Sequence, residues 1–163
     1  MTALSVPHPA AFLQALLTSN QGLRSWYMLL FQLPFVPESQ VSSVRSMERA
    51  LRSTGMPPDS ATRDAGLMGD REAARGALNW YRALVFAGPR ALRAKSRVPT
   101  LHVWSDGDAA IGPKGPSLSG RYVEGPYTYE VLEGVSHWIP DEVPERLAVL
   151  LGHHFDAFGV NGG

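Results

Sequence analysis

The spacing of apolar residues changes along the chain, from helical in the first two thirds to strand-like after about residue 98. A short apolar run over residues 2–6 predicts an initial strand, because prolines follow it directly. Apolar residues at helical spacing predict a helix over residues 10–17, and a segment dense in large side chains follows over residues 23–31. The pattern therefore predicts a strand followed by a mainly helical stretch.

The clearest helix signal covers residues 70–86. Asp70 can cap its first turn, and Gly88 with the proline after it ends the pattern. Short polar and helical pieces, broken by glycine and proline, lie before it over residues 42–70. We therefore expect several short helices leading into one longer helix.

Strand-like runs begin at Val98 and at Tyr127 in the last part of the chain. Between them, residues 112–126 are rich in glycine and proline, which indicates mainly loop with a weak helical piece. A final helix over residues 144–155 carries one apolar stripe and has a proline in its first turn.

This order predicts an α/β fold with three parts. Residues 1–19 give a core strand and helix, residues 20–90 a helical cap or lid, and residues 91–163 a carboxyl-terminal core. Three strands with a helical insert make an incomplete sheet, so we expect an apolar sheet edge to be left uncovered.

Composition narrows the class of protein. The chain has 163 residues, of which 44% are hydrophobic and 18% charged, which is typical of one soluble globular domain. Fifteen basic residues balance fifteen acidic ones, so there is no charge signal for nucleic acid or an anionic membrane. With no cysteine, thiol chemistry and disulfides are excluded, and we expect a cytoplasmic location. No apolar run is long enough for a membrane helix, and we find no signal-peptide pattern.

Two polar residues follow the two late strands and are candidates for acid–base chemistry. Asp108 lies on the loop after the first strand, and His137 lies just beyond Gly134 after the second. An acid followed by a histidine, each at a strand end, is the order that completes a nucleophile–acid–histidine triad. The alternatives are that the Asp-Gly-Asp sequence is only a turn, or that Asp106 is the acid. The other histidines are interpreted as structural or exposed.

Tyr27 and Tyr81 are candidates of a second kind. Each lies in an aromatic helical segment, where a buried side chain is usually part of the core. The functional alternative is a pair of phenols over a cleft that donate hydrogen bonds to a substrate oxygen and act as general acids.

No motif in the sequence supplies the nucleophile of such a triad. No Gly-x-Ser-x-Gly or Gly-x-Asp-x-Gly sequence occurs, and neither an oxyanion loop nor a phosphate-binding glycine loop is present. Two serine-containing approximations, around Ser105 and Ser117, lack the required glycines and are rejected.

Four separate stretches together resemble the epoxide hydrolases of the α/β-hydrolase superfamily. Ser5-Val-Pro-His-Pro resembles the segment after the sixth core strand. Tyr27-Met-Leu-Leu-Phe-Gln-Leu-Pro and Asn79-Trp-Tyr-Arg resemble the two tyrosine motifs of the cap, and residues 98–140 resemble the acid and histidine strands. Phe35 departs from the family pattern, since many relatives have glycine there. The resemblance implies a partial α/β-hydrolase fold, with the last three core strands and a helical cap.

The resemblance also implies roles. Asp108 would be the charge-relay acid and His137 the general base, while Tyr27 and Tyr81 would hold and protonate the epoxide oxygen. The substrate would be a small apolar epoxide, hydrolysed to a diol through an alkyl-enzyme ester, without cofactor or metal.

The family's first five core strands and its nucleophile have no counterpart in this sequence. We therefore expect a fragment or a natural truncation that is inactive alone, with a separately encoded amino-terminal half as a possible partner. Two alternatives stay open: another hydrolase of the superfamily, either a haloalkane dehalogenase or an esterase, or a non-catalytic truncated product.

Overall fold

A computed structural model describes residues 1–86 and 88–159 of the chain. Within these residues a three-stranded parallel sheet has the order β1–β2–β3. The strands are β1 Thr2–Leu4, β2 Thr100–Ser105 and β3 Tyr127–Leu132. The helices are α1 Pro9–Thr18, α2 Gln21–Arg24, α3 Trp26–Leu30, α4 Val36–Val41, α5 Val44–Ser53, α6 Pro58–Met68, α7 Arg71–Ala83, α8 Pro89–Arg93, α9 Lys114–Ser119, α10 Ile139–Glu142 and α11 Pro144–Phe158.

The central strand β2 is buried at every position, as expected for a parallel strand covered on both faces. It is in register with β1 through the pair Thr2 and Leu101, and with β3 through the pair Thr100 and Tyr127. Parallel pairing places the carboxyl ends of all three strands at one edge of the sheet. The loops that follow the strands therefore meet there.

The main core lies on one face of the sheet, between the strands and the last two helices. Its buried side chains are Leu101, Val103, Leu132, Val135, Ile139 and Leu147. Partly buried Leu4, Val143, Leu150 and Leu151 pack against them. Most of the apolar stripe predicted for the final helix thus covers the sheet, whereas Phe155 at its end is 58% exposed.

Residues 20–90, here called the helical region, connect β1 to β2 and form a second, smaller core. Val41, Ala74 and Leu78 are buried together, and Phe31 with two methionines packs against them. Asp70 caps α7 as predicted: its carboxylate accepts hydrogen bonds from the N–H groups of Glu72 and Ala73.

The first strand is shorter than its apolar run predicts. It ends at Leu4 because Ser5 has φ +56°, and the N–H of Val6 donates to the Leu4 carbonyl at 2.6 Å. This is a γ-turn of the strained kind with positive φ. β1 is an edge strand in the described part of the chain, and its three residues are each half-buried rather than fully exposed.

A second γ-turn of the same kind is centred on Phe35. Its φ and ψ are +66° and −40°, and the N–H of Val36 donates to the Pro34 carbonyl at 2.8 Å. The Phe35 ring is 83% exposed, so packing does not compensate the backbone strain. A phenylalanine therefore occupies a position whose backbone geometry favours glycine.

Two further expectations have clear outcomes. The aromatic segment over residues 23–31 contains the end of α2 and the whole of α3, which are two short helices. The weak helical piece expected within residues 112–126 is present as α9 and a 3₁₀ turn over Gly120–Tyr122.

Among the described helices, none is both long and apolar enough to span a lipid bilayer.

Candidate active site

The loop after β2 buries the carboxylate of Asp108. The backbone N–H groups of Ala110 and Ile111 both donate to its Oδ1 at 2.8 Å. The residue is only 2% exposed, so these donors replace the water that a free carboxylate would bind. They leave Oδ2 available for another partner.

The loop after β3 brings His137 to that free oxygen. Nδ1 of His137 and Oδ2 of Asp108 are 2.7 Å apart, and the carboxylate can only accept, so Nδ1 carries the proton. Burial would raise the pKa of Asp108, but the hydrogen bonds from His137, Ile111 and Ala110 outweigh it and hold the pKa below its ordinary value. The imidazole is thereby fixed with Nε2 as the nitrogen able to accept a proton. The structure thus joins the two residues that the sequence selected as acid and base.

Asp106, the alternative acid, contacts the loop rather than the imidazole. Its Oδ1 accepts a hydrogen bond from the N–H of Gly134 at 2.7 Å, and Gly134 has φ +71°. Gly107 lies close to the backbone of the same loop: a Cβ on this residue would be 2.6 Å from the Val135 carbonyl oxygen. Asp106 and Gly107 therefore shape the histidine loop.

The two tyrosines face each other in the helical region. The ring centroids of Tyr27, on α3, and Tyr81, on α7, are 6.2 Å apart at an interplanar angle of 80°, and Phe31 packs edge-on against both. Burial, the neighbouring Tyr81 and the charge of Asp108 raise the pKa of Tyr27 to about 12. Burial also raises the pKa of Tyr81. Both phenols are protonated near neutral pH and can donate hydrogen bonds.

Two serines at strand ends, missed as functional residues by the sequence reasoning, hold the histidine loop. Ser105 Oγ donates to the carbonyl of Ser136 at 2.6 Å, and Ser5 Oγ makes a longer contact of 3.5 Å with the carbonyl of His137. Both serines are buried. A polar residue ending a buried apolar strand is the sequence signal that could have indicated Ser105.

The helical region supports the histidine loop from the other side. Trp138 Nε1 donates to Thr54 Oγ1 at 3.0 Å, and Ser136 Oγ donates to the Gly55 carbonyl at 3.4 Å. Arg63, on α6, pairs with Asp141 just beyond the loop at 2.9 Å. These contacts join residues about 80 positions apart, and no local pattern predicts them.

The remaining histidines contribute to structure where their contacts are defined. His8 caps α1 through Nδ1 and stacks on Tyr122 at 4.4 Å. His102 is buried in β2, where its Nδ1 lies 3.1 Å from the Tyr127 hydroxyl. Across residues 1–86 and 88–159, no group of three or more potential ligand side chains is placed to hold a metal ion.

Several curated relatives of the chain are epoxide hydrolases. Epoxide hydrolase 2 of Caenorhabditis elegans is 28% identical over 160 residues, which are 90% of this chain and 44% of that protein. Epoxide hydrolase 3 of Mus musculus is 31% identical over 138 residues, covering 78% of this chain and 37% of the relative. The chain spans less than half the length of these two relatives. No protein-family model matches the chain.

Solved structures agree on the fold. An epoxide hydrolase from Bacillus megaterium superposes with a TM-score of 0.71 at 20% identity, covering 95% of this chain and 60% of that one. A putative acyltransferase from Salmonella enterica gives a TM-score of 0.76 at 16% identity, covering 96% and 56%. At these identities the likeness establishes architecture alone.

The parallel sheet, the helical region and these superpositions define a partial α/β-hydrolase fold, as the sequence predicted. Within that superfamily the sequence relatives make this an epoxide hydrolase-like chain.

Proposed function

We propose that the chain supplies the acid–base pair and the oxygen-binding phenols of an epoxide hydrolase, with residues 20–90 as its cap. The observation that carries the proposal is the 2.7 Å contact between His137 Nδ1 and Asp108 Oδ2 at the carboxyl ends of two paired parallel strands. The charge of Asp108 also contributes, after burial and Tyr81, to the raised pKa of Tyr27. That coupling supports a single site containing both the phenols of the helical region and the Asp108–His137 pair. A pair of neutral phenols suits an epoxide, whose ring oxygen must receive a proton as it opens.

The first step in this proposal opens the epoxide. A carboxylate oxygen attacks one epoxide carbon, the bond from that carbon to the ring oxygen breaks, and the resulting alkoxide takes a proton from Tyr27 or Tyr81. The products of the step are a hydroxyalkyl ester and a tyrosinate, which regains its proton from solvent. The second phenol donates a hydrogen bond to the same oxygen.

The second step hydrolyses the ester. Nε2 of His137 takes a proton from water, and the water oxygen attacks the ester carbonyl. The ester C–O bond breaks, and the diol oxygen takes the proton back from the imidazolium. The carboxylic acid that remains loses its proton to solvent, which restores the carboxylate. Asp108 stabilises the imidazolium between the two transfers.

The attacking carboxylate is the group that this sequence does not provide. The acids around His137 are engaged: Asp108 bonds Nδ1, Asp106 accepts from the N–H of Gly134, Glu142 accepts from the N–H of Ser136, and Asp141 pairs with Arg63. We therefore propose that the 163-residue chain alone does not turn over epoxides. The nucleophile comes from additional chain or from a separately encoded amino-terminal half.

The proposed substrate is a small apolar epoxide, and no cofactor is required. The cytoplasmic location expected from the lack of cysteine is part of the same proposal.

The test begins with the coding DNA upstream of Met1, read in all three frames. If it encodes an aspartate elbow, the longer product is expressed and assayed for diol formation from an aryl epoxide. We expect turnover that falls by about 10²-fold or more in His137→Gln and in the double variant of both tyrosines to phenylalanine. Tyr122→Phe, which changes a tyrosine stacked on His8, is the matched control.

The other outcomes contradict the proposal. A serine elbow, with cleavage of esters and not epoxides, would make the protein an esterase. Release of halide from haloalkanes, with no diol from epoxides, would make it a dehalogenase. If no elbow is encoded upstream and no separately encoded half restores diol formation, the chain is a non-catalytic product. Epoxide turnover by the purified 163-residue chain would refute its proposed inactivity alone.

A further inference from the structure

A glutamine in the helical region is buried beside the acid loop. Gln21 is 1% exposed and belongs to α2, the first short helix after β1 and α1. Its amide is fully engaged: Oε1 accepts from the N–H of Gly112 at 2.8 Å, and Nε2 donates to the Ala110 carbonyl at 2.8 Å and to Ser25 Oγ at 2.9 Å. Burying an amide is unfavourable unless such bonds are made, so this side chain has one defined orientation.

Two of the three bonds of Gln21 are made to the backbone segment that binds the Asp108 carboxylate. Gln21 bonds the backbone at residues 110 and 112, while the N–H groups of Ala110 and Ile111 in the same segment donate to Asp108 Oδ1. Arg24, one turn further along α2, donates to the carbonyls of Asp108 and Ala109 at 2.8 and 3.3 Å. The acid loop therefore rests on α2 through side-chain contacts to its backbone.

The third bond reaches the start of the helix that carries Tyr27. Ser25 lies between α2 and α3 and is itself buried, and Tyr27 is the second residue of α3. The same amide that fixes the Asp108 loop thus also contacts the junction that begins the Tyr27 helix. One side chain spans the two halves of the candidate site.

We propose that Gln21 is a positioning residue, which fixes the Asp108 carboxylate for His137 and ties the acid loop to the helix that carries Tyr27. Its bonds go to the backbone of the acid loop and to Ser25, not to the side chains of Asp108, His137 or Tyr27. Its importance for catalysis rests on the proposed function, whereas its effect on the Asp108–His137 hydrogen bond is independent of that function.

The test compares Gln21→Met, which keeps the length and removes all three hydrogen bonds, with Gln40→Met at an exposed position of α4. Both are made in the full 163-residue chain. The first readout is the NMR resonance of the His137 Nδ1 proton, which reports the hydrogen bond to Asp108. We expect Gln21→Met to shift this resonance upfield or to broaden it beyond detection at a temperature where the variant is folded. Gln40→Met should leave it unchanged.

The second readout is the carboxyl titration of Asp108, followed by carbon NMR. The donors Ala110 and Ile111 help to hold the Asp108 pKa low, so their displacement in Gln21→Met should raise that pKa towards the ordinary value. A purely structural role would lower the melting temperature while leaving the proton resonance and the carboxyl titration as in the wild type. That result would overturn the proposal.

Hydrogen exchange in the unmodified chain keeps the proposal testable if Gln21→Met does not fold. The Gly112 amide should be protected to the same extent as those of Ala110 and Ile111, because Gln21 accepts its hydrogen bond. Exchange of Gly112 at the rate of an exposed loop amide would overturn the proposal. None of these measurements uses an epoxide, so a failed epoxide assay would refute the proposed function without affecting this result.

Discussion

Gly55 lies directly against Ser136, the residue before the candidate base. A Cβ placed on Gly55 would lie 2.6 Å from Ser136 Cβ, closer than real Cβ atoms approach other side chains. Gly55 also has φ +95°, a backbone region that side chains disfavour. The corner between α5 and α6 is therefore shaped to receive the histidine loop.

Gly55→Ala should accordingly destabilise the chain by about 2 kcal/mol, because both the positive φ and the contact with Ser136 oppose a methyl group. Urea unfolding measures the change. Gly66→Ala is the control, since Gly66 is helical and a built Cβ would have no atom within 4 Å apart from its chain neighbours and its own helix backbone. Alanine there should be neutral or stabilising. Equal effects of the two variants would contradict the assigned contact.

Phe35→Gly should stabilise the chain by about 1 kcal/mol, because glycine removes the strain of the γ-turn and little packing is lost from an exposed ring. Phe35→Ala keeps the Cβ and should give no such gain. Thermal unfolding of both variants distinguishes relief of strain from removal of an exposed aromatic. A gain of the same size in Phe35→Ala would show that strain is not the cause.

Ser105→Ala should destabilise the chain by about 1–2 kcal/mol, since it leaves the Ser136 carbonyl without its 2.6 Å donor at a buried site. Ser117→Ala removes a comparable hydroxyl that bonds the Lys114 carbonyl at an exposed position, and should change the free energy of unfolding by less than about 0.5 kcal/mol. Indistinguishable effects in chemical denaturation would argue against the role given to Ser105.

Stability should depend on pH through Asp108. Its pKa in the folded chain is below the ordinary value of about 3.9, so the ionised carboxylate binds its proton more weakly than in the unfolded chain. Its stabilising contribution is therefore complete above that ordinary value and is lost as the pH falls through the lower folded value. The stability difference between wild type and Asp108→Asn should shrink on acidification below about pH 4. A difference that stays constant between pH 7 and pH 3 would refute this linkage.

Tyr27 should ionise near pH 12, about two units above a free tyrosine. The difference between ultraviolet titrations of wild type and Tyr27→Phe isolates this step, with circular dichroism to verify folding. Asp108→Asn removes one of the causes of the shift and should lower the Tyr27 midpoint, whereas Asp106→Asn should have a smaller effect. Ionisation near pH 10 in the wild type would contradict the burial of the Tyr27 phenol, which is the largest cause of the raised pKa.

Sequence reasoning selected the two residues of the Asp108–His137 pair because their signal is local. Asp108 and His137 each follow an apolar run, and parallel strands place such residues at one edge of the sheet. Asp70 was predictable for the same reason, since a helix cap is read from a few neighbouring residues. The sequence favoured Asp108 but left Asp106 as an alternative, because both residues suit a turn. In the structure Asp108 bonds the imidazole, whereas Asp106 bonds the N–H of Gly134.

The contacts that support the two loops of the candidate site could not be predicted from the sequence. Gln21 bonds residues about 90 positions away, and Gly55 meets Ser136 across 81, so neither has a pattern in its own neighbourhood. Phe35 is a different case, because the side chain gives no sign of the positive φ that its backbone adopts. Such features arise from tertiary packing and from strain.

Contacts at two separate places bind the helical region to the sheet edge: Gln21 and Arg24 at the acid loop, and Thr54 and Gly55 at the histidine loop. A rigid-body displacement of that region would break both sets at once, and the acid loop would lose the side chains that hold its backbone. The position of the helical region and the order of the two loops are therefore coupled.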